Sequence, residues 1–140
     1  MNAADNKQLI REIFAGVARG EPSMFVEHMA DDIAVTITGR NSWSRTHRGK
    51  ENVLRDLYGY VHSLMTERGK TIPTRILADE DWVVMEARGE FRTKQGKRYE
   101  NEYCLWYRLR DGKIVEVREY LDSELCERVL GPYPATPASA

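Results

Sequence analysis

The sequence predicts an α+β fold: a cone-shaped, strongly curved antiparallel sheet with three N-terminal helices packed on its concave side and a short C-terminal helix. Three observations predict it. Apolar residues recur mostly at helical spacing up to about residue 68. From there to Leu121, β-branched and aromatic residues come in runs separated by turn residues. A chain of 140 residues with 41% hydrophobic content suits one core rather than two. One domain is therefore expected over 1–132, with 133–140 read as a disordered tail.

Asp5 or Asn6 is the expected cap of a first helix carrying Leu9, Ile10, Ile13, Phe14 and Val17 on one stripe and ending at Gly20. Pro22 suits the start of a second, shorter helix with Phe25, Val26 and Met29 on its buried face, closed by Asp31 and Asp32. Ile33, Val35 and Ile37 alternate as a half-buried strand would, and 39–48 reads as a polar loop. A third helix is expected from Lys50 to about Arg68, its broad stripe including Val53, Leu57, Val61 and Met65, with Gly69 closing it.

Four strand segments follow, at 71–78, 82–92, 98–109 and 114–121. The turns between them form an antiparallel meander, and Asp111-Gly112 is the strongest hairpin signal in the chain. Asp122 or Ser123 caps the final helix, which Gly131 and Pro132 stop.

The 21 basic and 22 acidic side chains nearly cancel, so no long-range field favours nucleic acid or an anionic membrane. No apolar stretch reaches membrane-spanning length. Asp5, Lys7, Arg11 and Glu12 interrupt the apolar run a signal peptide needs, and the two cysteines, Cys104 and Cys126, fit a reducing compartment, so a cytoplasmic protein is expected. His28, His47 and His62 are too scattered for a metal-ligand set, and neither a metal nor a cofactor is expected.

Glu86, Arg88 and Glu90 share one face of the 82–92 strand, and Val83, Met85, Ala87 and Phe91 share the other. The charged face reads either as a solvated surface with cross-strand ion pairs or as one wall of a pocket. Counting back from Asp111-Gly112 sets Val115, Val117 and Glu119 opposite Arg108, Trp106 and Cys104. Glu119 reads as a surface partner of Arg118 or as a pocket carboxylate. Gly89 marks a bulge or leaves room for a ligand. Trp43 is a lid over a cavity mouth or packs beneath its loop, and Asp122 is a helix cap before it is an acid-base group.

The order of elements resembles the nuclear transport factor 2-like superfamily and, within it, the SnoaL-like, ketosteroid-isomerase-related group. The phrases that carry the likeness are 25–32, FVEHMADD; 48–51, RGKE; and 112–122, GKIVEVREYLD. The resemblance implies a homodimer through the outer sheet face and a cavity for a small apolar ligand of polyketide, steroid or terpenoid type. A partial similarity to limonene-epoxide-hydrolase-type members pairs Arg88-Gly89-Glu90 with 118–122, REYLD. Carried over, it implies that Arg88 bridges Glu90 and Glu119 as a catalytic triad, with both aspartates of that type replaced by glutamate and Asn41 as the one counterpart of its water-positioning residues.

The expected function is cofactor-independent acid-base catalysis on a small, largely apolar substrate, of isomerase, cyclase or epoxide-hydrolase type. Arg88, Glu90 and Glu119 are the catalytic candidates, and Asn41, Trp43, Tyr58, Tyr103, Trp106, Tyr120 and Asp122 the substrate-binding ones. The alternative is a non-catalytic binding or scaffold domain built on the same cone.

Overall fold

The computed structural model describes residues 1–135. Helix α1 spans Ala3–Ala18 and starts earlier than its sequence suggests. The Asn2 side chain accepts from Asp5 N and the Asp5 carboxylate accepts from Asn2 N, so Asp5 works inside a capping box and is not the cap itself. Ile10, Ile13 and Phe14 form its buried stripe, and α1 lies against strands β3 (Lys70–Asp79) and β4 (Trp82–Arg92). The short α2, Ser23–Glu27, leads directly into β1, Met29–Ile37, so Asp31 and Asp32 belong to the strand and do not close the helix.

The sheet runs β2-β1-β7-β6-β4-β3, where β2 is Thr46–Arg48, β6 is Glu102–Arg110 and β7 is Lys113–Leu121; the short β5, Arg98–Tyr99, pairs with β4. Strands β3, β4, β6 and β7 form the expected meander. The one departure from antiparallel pairing is β1 beside β7, which run parallel because the helices and the intervening strands make a long crossover between them. The expected 98–109 strand breaks at Asn101, and the expected polar loop 39–48 contributes the edge strand β2.

The third helical region is three consecutive stretches, α3 (Lys50–Asn52), a π-helix (Val53–Tyr58) and α4 (Gly59–Ser63). It stops short of Arg68 because Met65 bridges to Thr93 and Lys94 N donates to Leu64 O. The π turn adds a residue between successive hydrogen bonds, and here the Gly59 N–H donates to Leu54 O, five residues back. A Cβ at Gly59 would lie 2.5 Å from that oxygen, so glycine is what lets the turn close.

Of the three register shifts in the sheet, one lies in β1 between Met29 and Ala34, and those in β3 and β7 set the faces that matter for the site. In β3 the register slips between Pro73 and Arg75, not at Gly89, whose missing Cβ makes room for the Phe91 and Tyr103 rings. In β7 the hairpin begins as its turn dictates, with Asp111 and Gly112 both at positive φ and Leu109 opposite Ile114. One residue is then extra, and Arg108 pairs with Glu116, which brings Glu119 opposite Leu105 in place of Cys104. A one-residue slip moves a side chain to the other face of its partner strand's pattern.

Helix α5, Ser123–Leu130, is capped by Asp122, whose carboxylate accepts from Leu125 N, and Gly131 ends it at φ 79°. Tyr133, assigned to a tail by sequence, is buried. It packs on Trp43 and Tyr60 and donates through its hydroxyl to Asp56 O at 2.7 Å. The rest of the expected tail, 136–140, lies outside the described residues. Among the described residues no helix is long and apolar enough to cross a membrane, which leaves β-barrels unaddressed.

Candidate active site

Side chains alternate across the curved sheet, and the concave face collects Met85, Ala87 and Phe91 from β4, Tyr103, Leu105 and Tyr107 from β6, and Val117, Glu119 and Leu121 from β7. Helices α1, α2 and the π-helix roof this face with Phe14, Phe25, Leu54, Leu57 and Tyr58. A cavity of about 310 Å³ remains between roof and sheet, at the lower end of ordinary small-molecule sites. Its walls are aliphatic and aromatic. Among the described residues Glu119 is its one carboxylate.

Strand β7 lies between β1 and β6 and holds Glu119 between Ile37 and Leu105. The accessible surface left to Glu119 faces the cavity. Burial pushes its pKa from 4.5 up to about 7, because an ionised carboxylate loses its water there; a hydrogen bond donated by Tyr58 Oη to Oε1 at 2.9 Å pulls it partly back. Both protonation states of Glu119 are therefore populated near neutrality. Burial, followed by the neighbouring Glu119 charge, raises Tyr58, Tyr103 and Tyr107, so all three phenols keep their protons, and Tyr58 donates its own to Glu119. The Cys126 thiol, also in the wall, is raised to about 11 chiefly by burial and stays a thiol.

Four of the sequence candidates meet in this cavity: Glu119, Tyr58, Tyr103 and Trp43. Trp43 is buried beneath its loop. Its indole N–H donates to Gly131 O at 2.8 Å and its ring stacks on Tyr60, so it is wall rather than lid.

The expected Arg88, Glu90 and Glu119 triad is not assembled. Arg88 and Glu90 point out of the convex face, paired with each other at 2.8 Å and with side chains 54% and 42% exposed, while Glu119 points inward. Of the two readings the sequence leaves open for β4, this is the one that the apolar alternation of Val83, Met85 and Ala87 favours, and those three residues are buried. Trp106 and Tyr120 stand on the convex face as well, 38% and 42% exposed, and do not line the cavity. Asn41 shapes its own loop, accepting from Trp43 N and donating to Ser123 O. Asp122 is the α5 cap.

Sequence reasoning passed over Asn101, which is fully buried. Its side chain donates to Tyr99 Oη and Asp122 O and accepts from Glu102 N and Asp122 N, tying the β5–β6 kink to the start of α5. An asparagine inside an apparent strand, where its propensity is poor, was the available signal. Tyr99 was passed over as a cavity wall; Trp106 and Tyr107 fall on opposite faces of their strand, and it is Tyr107 that lines the cavity while Trp106, the sequence candidate, does not.

A strongly curved sheet roofed by N-terminal helices around one ligand-sized cavity defines the nuclear transport factor 2-like cone fold. The SnoaL-like domain family model matches residues 10–117, and the chain belongs to that family. Among solved structures, it is similar to Bal32a from a soil-derived mobile gene cassette, with 19% identity, a TM-score of 0.79 and coverage of 91% of this chain and 98% of that one. It is also similar to a SnoaL-like protein of Jannaschia sp. CCS1 assigned as a polyketide cyclase, at 14% identity, TM-score 0.75 and coverage of 94% and 95%. A third is TerC, co-crystallised with polyporic acid, at 16% identity, TM-score 0.74 and coverage of 89% and 97%. At these identities the likeness carries the fold alone. No curated protein matches the sequence.

Proposed function

We propose that this protein is a cofactor-independent acid-base enzyme that moves a proton on a small, largely apolar substrate held in the cone cavity, as an isomerase or cyclase would. The observation that carries the reading is the single carboxyl of Glu119 on an apolar cavity wall, raised to about 7 and held by Tyr58 at 2.9 Å. A group whose pKa lies near the working pH is both a competent base and a competent acid. Glu119 in its ionised form takes a proton from carbon next to a carbonyl, and the protonated form returns it elsewhere on the same substrate. Tyr103, a protonated phenol on the same wall, is the donor available to the developing oxyanion. The epoxide-opening variant depended on the bridging arginine and is not part of this proposal.

The ligand class we propose is a polyketide-, steroid- or terpenoid-like molecule, which suits the aromatic and aliphatic walls. We also propose a homodimer through the convex face, where Trp82 and Trp106 pack together and Trp106, Tyr120 and Leu77 are exposed. Sedimentation of the wild type against Trp106→Glu tests the dimer; a wild-type monomer at micromolar concentration refutes it.

The catalytic reading is tested by deuterium wash-in from D2O at the α-carbon of apolar cyclic ketones, followed by NMR. Wild type should accelerate exchange and Glu119→Gln should not. If no ketone in the panel exchanges faster than in buffer yet several bind, the non-catalytic binding domain becomes the better reading.

A further inference from the structure

The cavity wall carries one cation, and it stands at the opening. Of the lining residues, His62 and Arg68 alone are exposed, so together they mark where the cavity meets solvent. Arg68 lies between the end of α4 and β3, and its Cδ sits 3.9 Å from where a Cβ at Gly20 would be, so its stem lies beside the α1–α2 turn at the same rim. Pro22 from that turn and Gly69 and Thr71 beside Arg68 line the cavity too. Among the described residues Arg68 makes no ion pair and no hydrogen bond, although arginines elsewhere on the surface pair with carboxylates, as Arg75 does with Glu86 and Arg110 with Asp32.

An unpaired surface arginine is ordinarily just solvated. What distinguishes this one is the wall beneath it. Below the rim there is no further cation and one carboxylate among the described residues, so an anionic substituent of a bound molecule finds no counter-ion inside and stays at the opening. There a guanidinium, with its fork of donors, accepts a carboxylate and repels an ammonium. We propose that Arg68 forms an anion subsite at the cavity mouth and that the ligand is an aryl or alicyclic carboxylic acid, inserted apolar end first with its carboxylate on Arg68. The inference rests on reading the cavity as a ligand site and adds the polarity and orientation of what enters it.

The test uses a matched pair, 2-naphthylacetate and its neutral amide, titrated into the full chain and followed by backbone amide shifts. At pH 6 and low salt Glu119 is mostly protonated and does not repel the acid. Wild type should bind the acid about two- to fivefold tighter than the amide, the range of a solvent-accessible ion pair with good geometry. The preference should shrink in 0.5 M NaCl. Arg68→Gln should bring the acid to the amide's affinity and leave the amide unchanged, while Glu119→Gln should keep the preference.

Equal affinities in the wild type, a preference that survives Arg68→Gln, or no binding of either compound at millimolar concentration overturns the subsite. These outcomes leave the acid-base reading intact as long as Glu119 titrates near 7. A normal Glu119 titration with the acid preference present sinks the catalytic reading alone.

Discussion

Glu90 and Glu119 lie on the two faces of one sheet, and their surroundings make them different groups. Glu90 meets Arg88 on the convex face, with both side chains in water, and such a pair is worth about 0 to 1 kcal/mol. Glu119 faces apolar walls and a phenol, and burial moves its proton affinity by more than any neighbour does. An arginine beside a carboxylate is conspicuous in a sequence, but in water the pair is a weak electrostatic contact. Removal from water is what makes a carboxyl able to give and take a proton at neutral pH.

The contrast breaks most easily at the rate. Glu119→Gln should lower proton exchange by about 10² to 10⁴-fold, the usual worth of a positioned acid-base group, whereas Arg88→Ala with Glu90→Gln should change it by less than about twofold. Equal losses would erase the distinction between the faces.

Stability against pH gives the next largest effect. Glu119's pKa is raised in the fold, so between about 4.5 and about 7 the folded protein keeps a proton that the unfolded chain has released. Glu119's contribution to stability is therefore fully present below about 4.5, falls as pH rises through that window and is lost above about 7, by about 3 kcal/mol in all. Urea unfolding of wild type and Glu119→Gln should differ in this slope, which the glutamine variant lacks.

Gly59→Ala places a methyl group against Leu54 O and should cost about 1–3 kcal/mol in the same unfolding experiment. Because the π turn ends at Tyr58, the variant should also shift Glu119's titration in the direction that Tyr58→Phe does, which is upward, since the hydrogen bond that favours the ionised form is weakened. The smallest effect belongs to the convex face: breaking the Arg88–Glu90 pair should change stability by less than about 1 kcal/mol, and less still in high salt.

The order of helices and strands was legible because each long element carries its own period, as in the Ile10, Ile13, Phe14 stripe and the Val83, Met85, Ala87 alternation. The inner face of β4 was legible for the same reason. Glu119's neighbours were not, since they depend on one extra residue in β7 that leaves no mark in the hydrophobic pattern: Ile114 and Val115 are both buried, and either fits the strand. Tyr58 was legible as a cavity candidate but not as the partner of Glu119, which it reaches from a π turn that a stripe drawn at 3.6 residues reads as ordinary helix. The carried-over triad failed at the one place where it overrode alternation, on Arg88 and Glu90.

Burial raises the Glu119 carboxyl toward neutral pH, while Glu90 remains a solvated ion-pair partner. Carbon-13 NMR of the two side-chain carboxyls across pH 3 to 9 tests it directly. Glu119 should show a midpoint near 7, moving higher in Tyr58→Phe. A Glu119 midpoint at the ordinary value of about 4.3, unmoved by the loss of the phenol, would contradict it.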